Sequence, residues 1–498
     1  MKKIPAEYLV FIFLSLCLAA YTFTRAAMIS ITHDEVGTYL GYSISPVMDI
    51  IHFKNLQLNN HLLNSLLVKL TTSIFGVSEF SMRLPNLAAH ILYLIFTSKI
   101  VRLLTKDKFL MITGFILVNF NPYLLDFFSI ARGYGLEISL MTMSIYFLML
   151  YQQKNKPVYV WQSMFLSALG VLANFTFITV FFSAIILVNI FLIYKVAGDK
   201  RSFKLSLLTI IKHNLPIIII TAGLAALIAG PVMRLNSTGE FSGPGNNDGL
   251  WASLFRSVIR HSLYGQFRGD NIHIVFLVIA AIMLVLFGYF IYKERWNVIR
   301  SRYFLLGALL LIICLWFYLQ HALLGSRYPQ QRFALFIYPL YILAFITALD
   351  FLVSSSSLLI IFRSFIVILS VLVLVHFINS ANATYYFDWK YDADTRKMLE
   401  ENLGEMKKVE TESNRQIVLG TYWLTYPSLT YYLMVKKIDW VSLETYHDTF
   451  TKKADFYYVP AGYQDSLEKF NPVRLKDYLE SGSVLSRQTG SGIYSQPE

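Results

Sequence analysis

The dominant feature of the sequence is a series of apolar runs, each long enough to cross a lipid bilayer as a helix. About 20 apolar residues are needed for one crossing, and the chain offers about eleven such runs. They predict an all-α polytopic membrane protein. After a first run near the N-terminus, they lie at 84–104, 109–128, 134–151, 158–173, 175–195, 214–232, 271–292, 303–324, 333–352 and 357–378.

Composition excludes several other classes of protein. Of the 498 residues, 55% are hydrophobic and 15% are charged, whereas about 25% are charged in an ordinary soluble domain. A soluble globular enzyme, a disordered chain and a disulfide-linked secreted module are therefore excluded. The two cysteines, Cys17 and Cys314, lie inside apolar runs without the spacing of a redox or zinc motif.

The charge distribution divides the chain into two domains. The net charge of +12 separates into +15 for residues 1–384 and −3 for residues 385–498. Because the basic excess belongs to the apolar part, it does not indicate nucleic-acid binding. Residues 1–384 are predicted to form the membrane domain and residues 385–498 a small α/β domain. The α/β domain is expected to have a surface helix from 385 to 410, strands at 416–420, 438–444 and 454–460, and a helix at 425–437.

The positions of the basic residues predict which loops face outwards. Lysine-containing loops favour the cytoplasmic side, which places the N-terminus inside. An odd number of spans then places the C-terminal domain outside. The predicted outer side is rich in arginine, whose planar fork binds phosphate in a way that lysine cannot. These arginines are Arg83, Arg132, Arg234, Arg256, Arg260, Arg268, Arg327 and Arg332.

Two outer segments combine ionisable residues with apolar surroundings. In the first, His33, Asp34 and Glu35 directly follow the first span, and leucines spaced from Leu62 to Leu70 predict an amphipathic surface helix. The second has the sequence NPYLLDFFSIARGYGLEISL at 121–140. Its charged residues indicate function by default at membrane depth, although an ion pair between Asp126 and Arg132 would also explain two of them. A third outer segment, 234–270, is predicted to be a long loop because it is rich in glycine and asparagine.

In this order, these segments resemble the protein O-mannosyltransferase family, which includes bacterial relatives such as the lipid A aminoarabinose transferase. The resemblance rests on the Asp-Glu pair after the first span, FGVSEFSMRLPN at 75–86, the 121–140 segment and GSRYPQQRFALFIYPLY at 325–341. It covers roughly residues 1–350. Asn59, Asn60 and His61 stand where relatives often have a Lys-Pro-Pro-like stretch, which leaves the acceptor open.

The resemblance implies a GT-C membrane glycosyltransferase of the bacterial inner membrane, with its active site on the extracytoplasmic side. The implied donor is a sugar on polyprenyl phosphate, and an acceptor hydroxyl or phosphate on a lipid, glycan or protein attacks the anomeric carbon with inversion. Asp34 is the implied base, and Glu35 would orient the acceptor. A divalent cation is left open, with Asp34 and Glu35 as its ligands. The other predicted site residues are Arg132, Arg327 and Arg332 for the donor phosphate, and His61, Tyr134 and Asp126 in the substrate pocket.

Three other function classes compete with this hypothesis. One is a membrane-anchored binding or assembly protein, which leaves the outer carboxylates and arginines unexplained. A transporter or flippase for a lipid-linked sugar would carry internal repeats and broken helices in both halves, and no such repeat is visible. A polysaccharide polymerase or ligase would use similar chemistry on a longer, diphosphate-linked glycan. Sugar transfer by the purified protein would exclude a transporter or flippase. A polymerase or ligase would also transfer sugar, so this assay does not exclude it.

Overall fold

The computed structural model describes residues 5–55, 60–197, 203–237, 245–266, 271–355, 359–447, 453–470 and 472–488. Every predicted apolar run coincides with a helix or, for 109–128, with two helices that meet at 63°. The helices of the membrane part are α1 (Ala6–Met28), α2 (His33–Thr38), α3 (Val47–Ile51), α4 (Leu62–Phe75), α5 (Glu79–Leu104), α6 (Lys108–Asn119), α7 (Pro122–Phe128), α8 (Gly133–Lys154), α9 (Pro157–Ala173), α10 (Ile178–Ala197), α11 (Phe203–Ser237), α12 (Ser257–Ser262), α13 (Ile272–Glu294), α14 (Arg302–Leu324), α15 (Ile337–Ser355) and α16 (Leu359–Ser380).

Within the described residues, eight helices are long and apolar enough to cross a membrane, and the bent pair α6–α7 provides a possible ninth crossing. The eight are α1, α5, α8, α10, α11, α13, α14 and α16. Helices α9 and α15 coincide with the two remaining predicted runs but are shorter apolar helices. The prediction of a polytopic helical membrane protein is therefore confirmed.

Short helices occupy the side of the bundle that carries the C-terminal domain. The predicted amphipathic helix is α4, which buries Leu62 and Val68 and exposes Leu70. Its buried face also contains Asn64 and Ser65, so it is more polar than the leucine spacing suggests. The prediction of a loop over 234–270 is wrong where the structure describes it, since a π-helix at Trp251–Arg256 continues into α12.

The C-terminal domain is built on a five-stranded sheet. Two short strands, β1 (Gly245–Asn246) and β2 (Tyr328–Pro329), pair with each other outside this domain. The elements of the domain are α17 (Thr395–Ser413), β3 (Ile417–Tyr422), α18 (Tyr426–Val435), β4 (Val441–Tyr446), β5 (Phe456–Pro460), β6 (Val473–Tyr478) and β7 (Ser483–Arg487). The strand order is β4-β3-β5-β7-β6, with β4, β3 and β5 parallel and β7 and β6 antiparallel to their neighbours. The three predicted strands and the helix between the first two are present, whereas β6 and β7 were not predicted.

The segment between α16 and α17 is bound to the membrane part. The Arg25 guanidinium lies 2.5 Å from the Asp126 carboxylate, and both side chains are fully buried. The Tyr264 hydroxyl and the backbone N–H of Phe387 also donate to Asp126, while Arg25 donates to the carbonyl of Tyr385. The predicted boundary at residue 385 thus falls inside a segment that is fixed to the bundle by buried charges.

Asp126→Asn is expected to destabilise the fold strongly. The substitution leaves the Arg25 charge buried without its counterion, and breaking a buried ion pair on one side costs about 3–5 kcal/mol. The measurement is thermal unfolding of the purified protein in detergent. The control is Lys54→Ala, which removes the exposed pair with Asp49 and should cost less than about 1 kcal/mol. Equal melting temperatures for the two variants would contradict the assignment.

Candidate active site

Asp34 lies in the first turn of α2, and a capping box fixes this turn. The Thr32 hydroxyl accepts from the backbone N–H of Glu35, and the Glu35 carboxylate accepts from the backbone N–H of Thr32. This reciprocal arrangement satisfies donors at the helix start that would otherwise have no partner. The backbone N–H of His33 donates to Asp392 over 2.7 Å, so the start of the C-terminal domain also holds this turn.

Glu35 is fully committed to structural contacts. Its carboxylate receives two hydrogen bonds of 2.7 Å from Arg83, and both side chains are buried to 0% exposure. The backbone N–H of Ala131 donates to the same carboxylate over 2.8 Å. Arg83 in turn donates to the carbonyls of Ala26, Ile29 and Ser30. We therefore reassign Glu35 from orienting the acceptor to fixing the backbone on either side of Asp34.

Asp34 points instead at two arginines. Its Oδ2 lies 3.7 Å from Arg132 and 3.5 Å from Arg332, which is close for an ion pair and long for a hydrogen bond. Burial raises the pKa of Asp34, but the charges of Arg132 and Arg332 outweigh this effect and lower the pKa below its ordinary value. Asp34 is therefore ionised at neutral pH.

The second arginine is shared with a carboxylate from the C-terminal side of the chain. Arg332 also lies 3.5 Å from Asp388, and its guanidinium stands over the ring of Trp389 at 5.1 Å. Asp388 accepts a hydrogen bond of 2.9 Å from the Tyr123 hydroxyl, and its other oxygen is 3.8 Å from His261. The site is thus closed on one side by the segment that leads into the C-terminal domain.

His61 and Tyr134 lie together next to the charged groups. Their rings meet edge to face at 4.9 Å, and His61 Nδ1 is bonded to the carbonyl of Ala173 at 2.8 Å. Burial lowers the pKa of His61 well below its ordinary value, and the positive charge of Arg132 lowers it further. The imidazole is therefore neutral, and its Nδ1–H donates a hydrogen bond to the carbonyl oxygen of Ala173. Gly133 makes this packing possible, since a Cβ there would lie 2.0 Å from the Ala173 carbonyl oxygen.

Several polar atoms around this centre are buried without a hydrogen-bond partner among the described residues. They are Asp34 Oδ2, His61 Nε2, the Tyr134 hydroxyl and Arg332 Nε. Buried polar groups are normally satisfied, so a cluster of exceptions requires an explanation. The atoms include donors and acceptors and surround the carboxylate–arginine centre, which is the arrangement expected of a substrate site.

The remaining predicted site residues lie elsewhere. Asp126, which was predicted to lie in the substrate pocket, is held by Arg25 and Tyr264 and supports the fold. The alternative ion pair between Asp126 and Arg132 is not formed either. Arg327 is exposed, and its Cβ lies near Gly245 in the β1–β2 pairing. Among the described residues there is no group of three His, Cys, Asp or Glu side chains arranged to hold a metal ion.

The membrane part contains an apolar cavity of about 530 Å³. It is lined by residues from α12, α13, α15 and α16, including Val258, Ile337 and Tyr338. A second apolar cavity of about 330 Å³ shares Phe255 and Tyr341 with it. The backbone N–H of Gln331, next to Arg332, donates to Ser257 of α12, which precedes the cavity-lining residue Val258.

Three residues of this centre were not predicted from the sequence, namely Asp388, Trp389 and His261. Asp388 and Trp389 follow the last span directly, inside the segment 385–410 that the sequence predicts to be a surface helix. The general signal that could have found them is the clustering of acidic and aromatic residues at the end of an apolar run on the same side as Asp34. His261 lies in the segment 234–270, which the sequence predicts to be a long loop and which therefore offers no helix to place it.

Comparison with known proteins supports the predicted resemblance. The dolichyl-phosphate-mannose-protein mannosyltransferase family matches residues 62–225, which confirms the resemblance over that segment. No curated protein matches the sequence. The fold is similar to a crystal structure of ArnT from Cupriavidus metallidurans in the apo state, with a TM-score of 0.50 and 8% identity over 97% of this chain and 98% of that chain.

Two further structures have lower scores. ArnT from the same organism, bound to undecaprenyl phosphate, has a TM-score of 0.45 and 11% identity over 97% of this chain and 98% of that chain. The arabinosyltransferase EmbB from Mycobacterium smegmatis has a TM-score of 0.42 and 11% identity over 70% of this chain and 31% of that chain. The family match and the GT-C type of fold together support a membrane-embedded glycosyltransferase.

Proposed function

We propose that the chain transfers a sugar from a polyprenyl-phosphate donor to an acceptor, with inversion at the anomeric carbon. The observation that carries this proposal is the ionised Asp34 beside two arginines, Arg132 and Arg332, in a pocket with unpartnered polar atoms. A base and a cationic clamp are what the reaction needs at its two ends. The matching family is itself named for a sugar carried on dolichyl phosphate.

Each part of the donor has a counterpart in the structure. Arg132 and Arg332 are proposed to bind the phosphate, because guanidinium groups form paired hydrogen bonds with its oxygens. The apolar cavity beside α12 is proposed to take the first isoprene units of the carrier. His61 and Tyr134 are proposed to line the sugar pocket, where Nε2 of the neutral imidazole accepts and the phenol hydroxyl donates or accepts hydrogen bonds.

The proposed reaction is a single displacement. The acceptor oxygen attacks the anomeric carbon and gives its proton to Asp34. The bond between that carbon and the phosphate oxygen breaks, and its electron pair stays with the leaving polyprenyl phosphate. Arg132 and Arg332 stabilise the charge that develops on the phosphate. Asp388 holds Arg332 from the other side, and Glu35 keeps the backbone around Asp34 fixed. We place this reaction at a bacterial inner membrane, as the family resemblance implies, and on its extracytoplasmic side, which the charge distribution of the loops favours.

Binding of the donor is proposed to activate the base. In the structure both arginines are close to Asp34 and lower its pKa, which makes the carboxylate a weak base. The donor phosphate brings a negative charge to the same arginines and thereby weakens their effect on Asp34. The pKa of Asp34 then rises towards its working range, so the acceptor hydroxyl is deprotonated only when a donor is in place.

Asp34→Asn tests the reaction and the role of the base together. The assay uses purified protein in detergent, undecaprenyl phosphate carrying a radiolabelled hexose or pentose, and an envelope extract as acceptor. We expect transfer to fall by about 10²–10⁴-fold, whereas donor affinity stays equal or improves because Asp34 no longer competes with the phosphate. Asp49→Asn, at a half-buried carboxylate of α3, is the control. Full turnover in Asp34→Asn would remove Asp34 as the base, and lipid movement without any transfer by the unaltered protein would favour a flippase.

The phosphate clamp is tested by replacing one of its arginines with lysine and comparing the result with the same replacement at an arginine outside the clamp. Arg332→Lys should weaken donor binding by about 10- to 150-fold, since the loss of one charge-assisted hydrogen bond is worth about 1.5–3 kcal/mol. Arg327→Lys is the matched control at an exposed arginine and should change donor affinity by less than about twofold. Donor affinity is measured by competition with unlabelled undecaprenyl phosphate. If Arg327→Lys and Arg332→Lys lower donor affinity equally, both arginines belong to the clamp. If Arg332→Lys leaves donor affinity unchanged, Arg332 is excluded from the clamp.

The activation of Asp34 predicts a specific pH dependence. Because the base acts when it is deprotonated, activity falls as the pH drops through its pKa. The acid limb of the kcat/KM profile for the donor reports the pKa of Asp34 in the free enzyme, where Arg132, Arg332, His33 and His61 surround it. The acid limb of the kcat profile reports the pKa of Asp34 when the donor is bound. We expect the limb of kcat to lie at higher pH than the limb of kcat/KM, as measured with saturating acceptor. Coincident limbs would contradict activation by the donor.

A further inference from the structure

A row of aromatic rings lies on the C-terminal domain next to the active site. Trp423 is central: its ring meets His33 edge to face at 5.8 Å and stacks on His447 at 5.7 Å. Tyr422 lies 6.0 Å from Trp423 and 4.5 Å from Tyr463, and the two tyrosine hydroxyls are 3.0 Å apart. Trp423 and Tyr463 are each 36% exposed. The row therefore presents both ring faces and polar groups at the surface.

The sheet topology explains why these rings come together. Strands β3, β4 and β5 are parallel, so their carboxyl ends lie at one edge of the sheet. Tyr422 ends β3 and Trp423 follows it, His447 follows β4, and Tyr463 follows β5. In open α/β sheets the carboxyl edge of the strands is where ligands bind. None of the contacts within the row is needed to close the domain core, which is formed by other side chains.

The row is continuous with the catalytic centre. His33, its innermost ring, is the residue before Asp34, and its Nδ1 is bonded to the carbonyl of Leu424 at 2.9 Å. This contact fixes the edge of the sheet directly against the first turn of α2. A molecule lying along the rings would thus reach Asp34 at one end.

The chemistry of the row favours a saccharide. The face of an aromatic ring is electron-rich and apolar, which suits the C–H groups on one face of a sugar ring. The tyrosine hydroxyls, the imidazoles and the indole N–H supply hydrogen bonds for sugar hydroxyls. The five residues of the row include no lysine or arginine, so the row lacks the permanently charged side chains that bind phosphate groups.

We propose that this row binds the sugar rings of a glycan acceptor and presents the acceptor hydroxyl to Asp34. The proposal rests on the proposed function, to which it adds the class of acceptor. The donor and the acceptor are then held by different parts of the chain: the donor by the arginines and the apolar cavity, and the acceptor by the carboxyl edge of the sheet.

The test measures transfer at saturating donor while the acceptor is varied. The acceptor probe is the polysaccharide fraction of envelopes from cells that lack the protein, after removal of lipid and protease treatment. Trp423→Ala should raise KM for this polysaccharide about tenfold, which corresponds to about 1.4 kcal/mol, with kcat changed by less than about twofold. Trp423→Phe, which keeps a ring face, should recover most of the affinity.

Trp440→Ala is the matched control, because Trp440 precedes β4 and lies at the opposite edge of the sheet from Trp423; its KM should equal that of the unaltered protein. If Trp423→Ala does not fold, as judged by thermal unfolding, His447→Ala removes an exposed ring of the same row and should raise KM in the same direction. An unchanged KM in the folded variants would overturn the proposal, and so would transfer to the whole envelope extract that leaves label only in its lipid or protein fraction. Failure of the proposed function is recognised separately, because the unaltered protein would then cleave no polyprenyl-phosphate sugar at all.

Discussion

The ion pair between Glu35 and Arg83 is the interaction on which the site depends. It is fully buried, and through it α5 holds the end of α1, the start of α2 and the turn at Ala131. A buried pair of this kind contributes little net stability compared with apolar packing, but it is severely disruptive when one partner is lost. Its value here is geometric, because it fixes the relative positions of two loops that are distant in sequence and that carry Asp34 and Arg132.

Two adjacent carboxylates consequently have different roles. Glu35 is enclosed and satisfied by hydrogen bonds from Arg83, Thr32 and Ala131, whereas Asp34 has only long ion pairs and an Oδ2 atom without a hydrogen-bond partner among the described residues. A site that binds and releases a charged substrate needs such incomplete contacts, since a fully satisfied carboxylate would not exchange its partners. The rigid pair makes the incompletely bonded residue next to it possible.

The sequence was most informative where one residue property determines the structure. Hydrophobic run length predicted the helices, including those later found to be short, such as α9, because burial in lipid or protein requires the same apolar composition. The Thr32–Glu35 capping box could also have been read directly from the pattern T-x-x-E. Long-range pairing could not be predicted: nothing local shows that Asp126 meets Arg25, or that Asp388 reaches Arg332. Strands β6 and β7 were missed for the same reason, since β6 has mostly exposed residues and depends on pairing with β7.

The segment Phe387–Asp392 has a consequence for how such proteins can be recombined. It supplies Asp388 and Trp389 to the site, its first backbone N–H is bound by Asp126, and its last residue holds the turn of Asp34. A chimera that exchanges the C-terminal domain at the end of the last span would therefore replace part of the proposed catalytic centre along with the domain. A junction after Asp392 would keep the centre intact, so the unit of modular exchange in this architecture begins at α17.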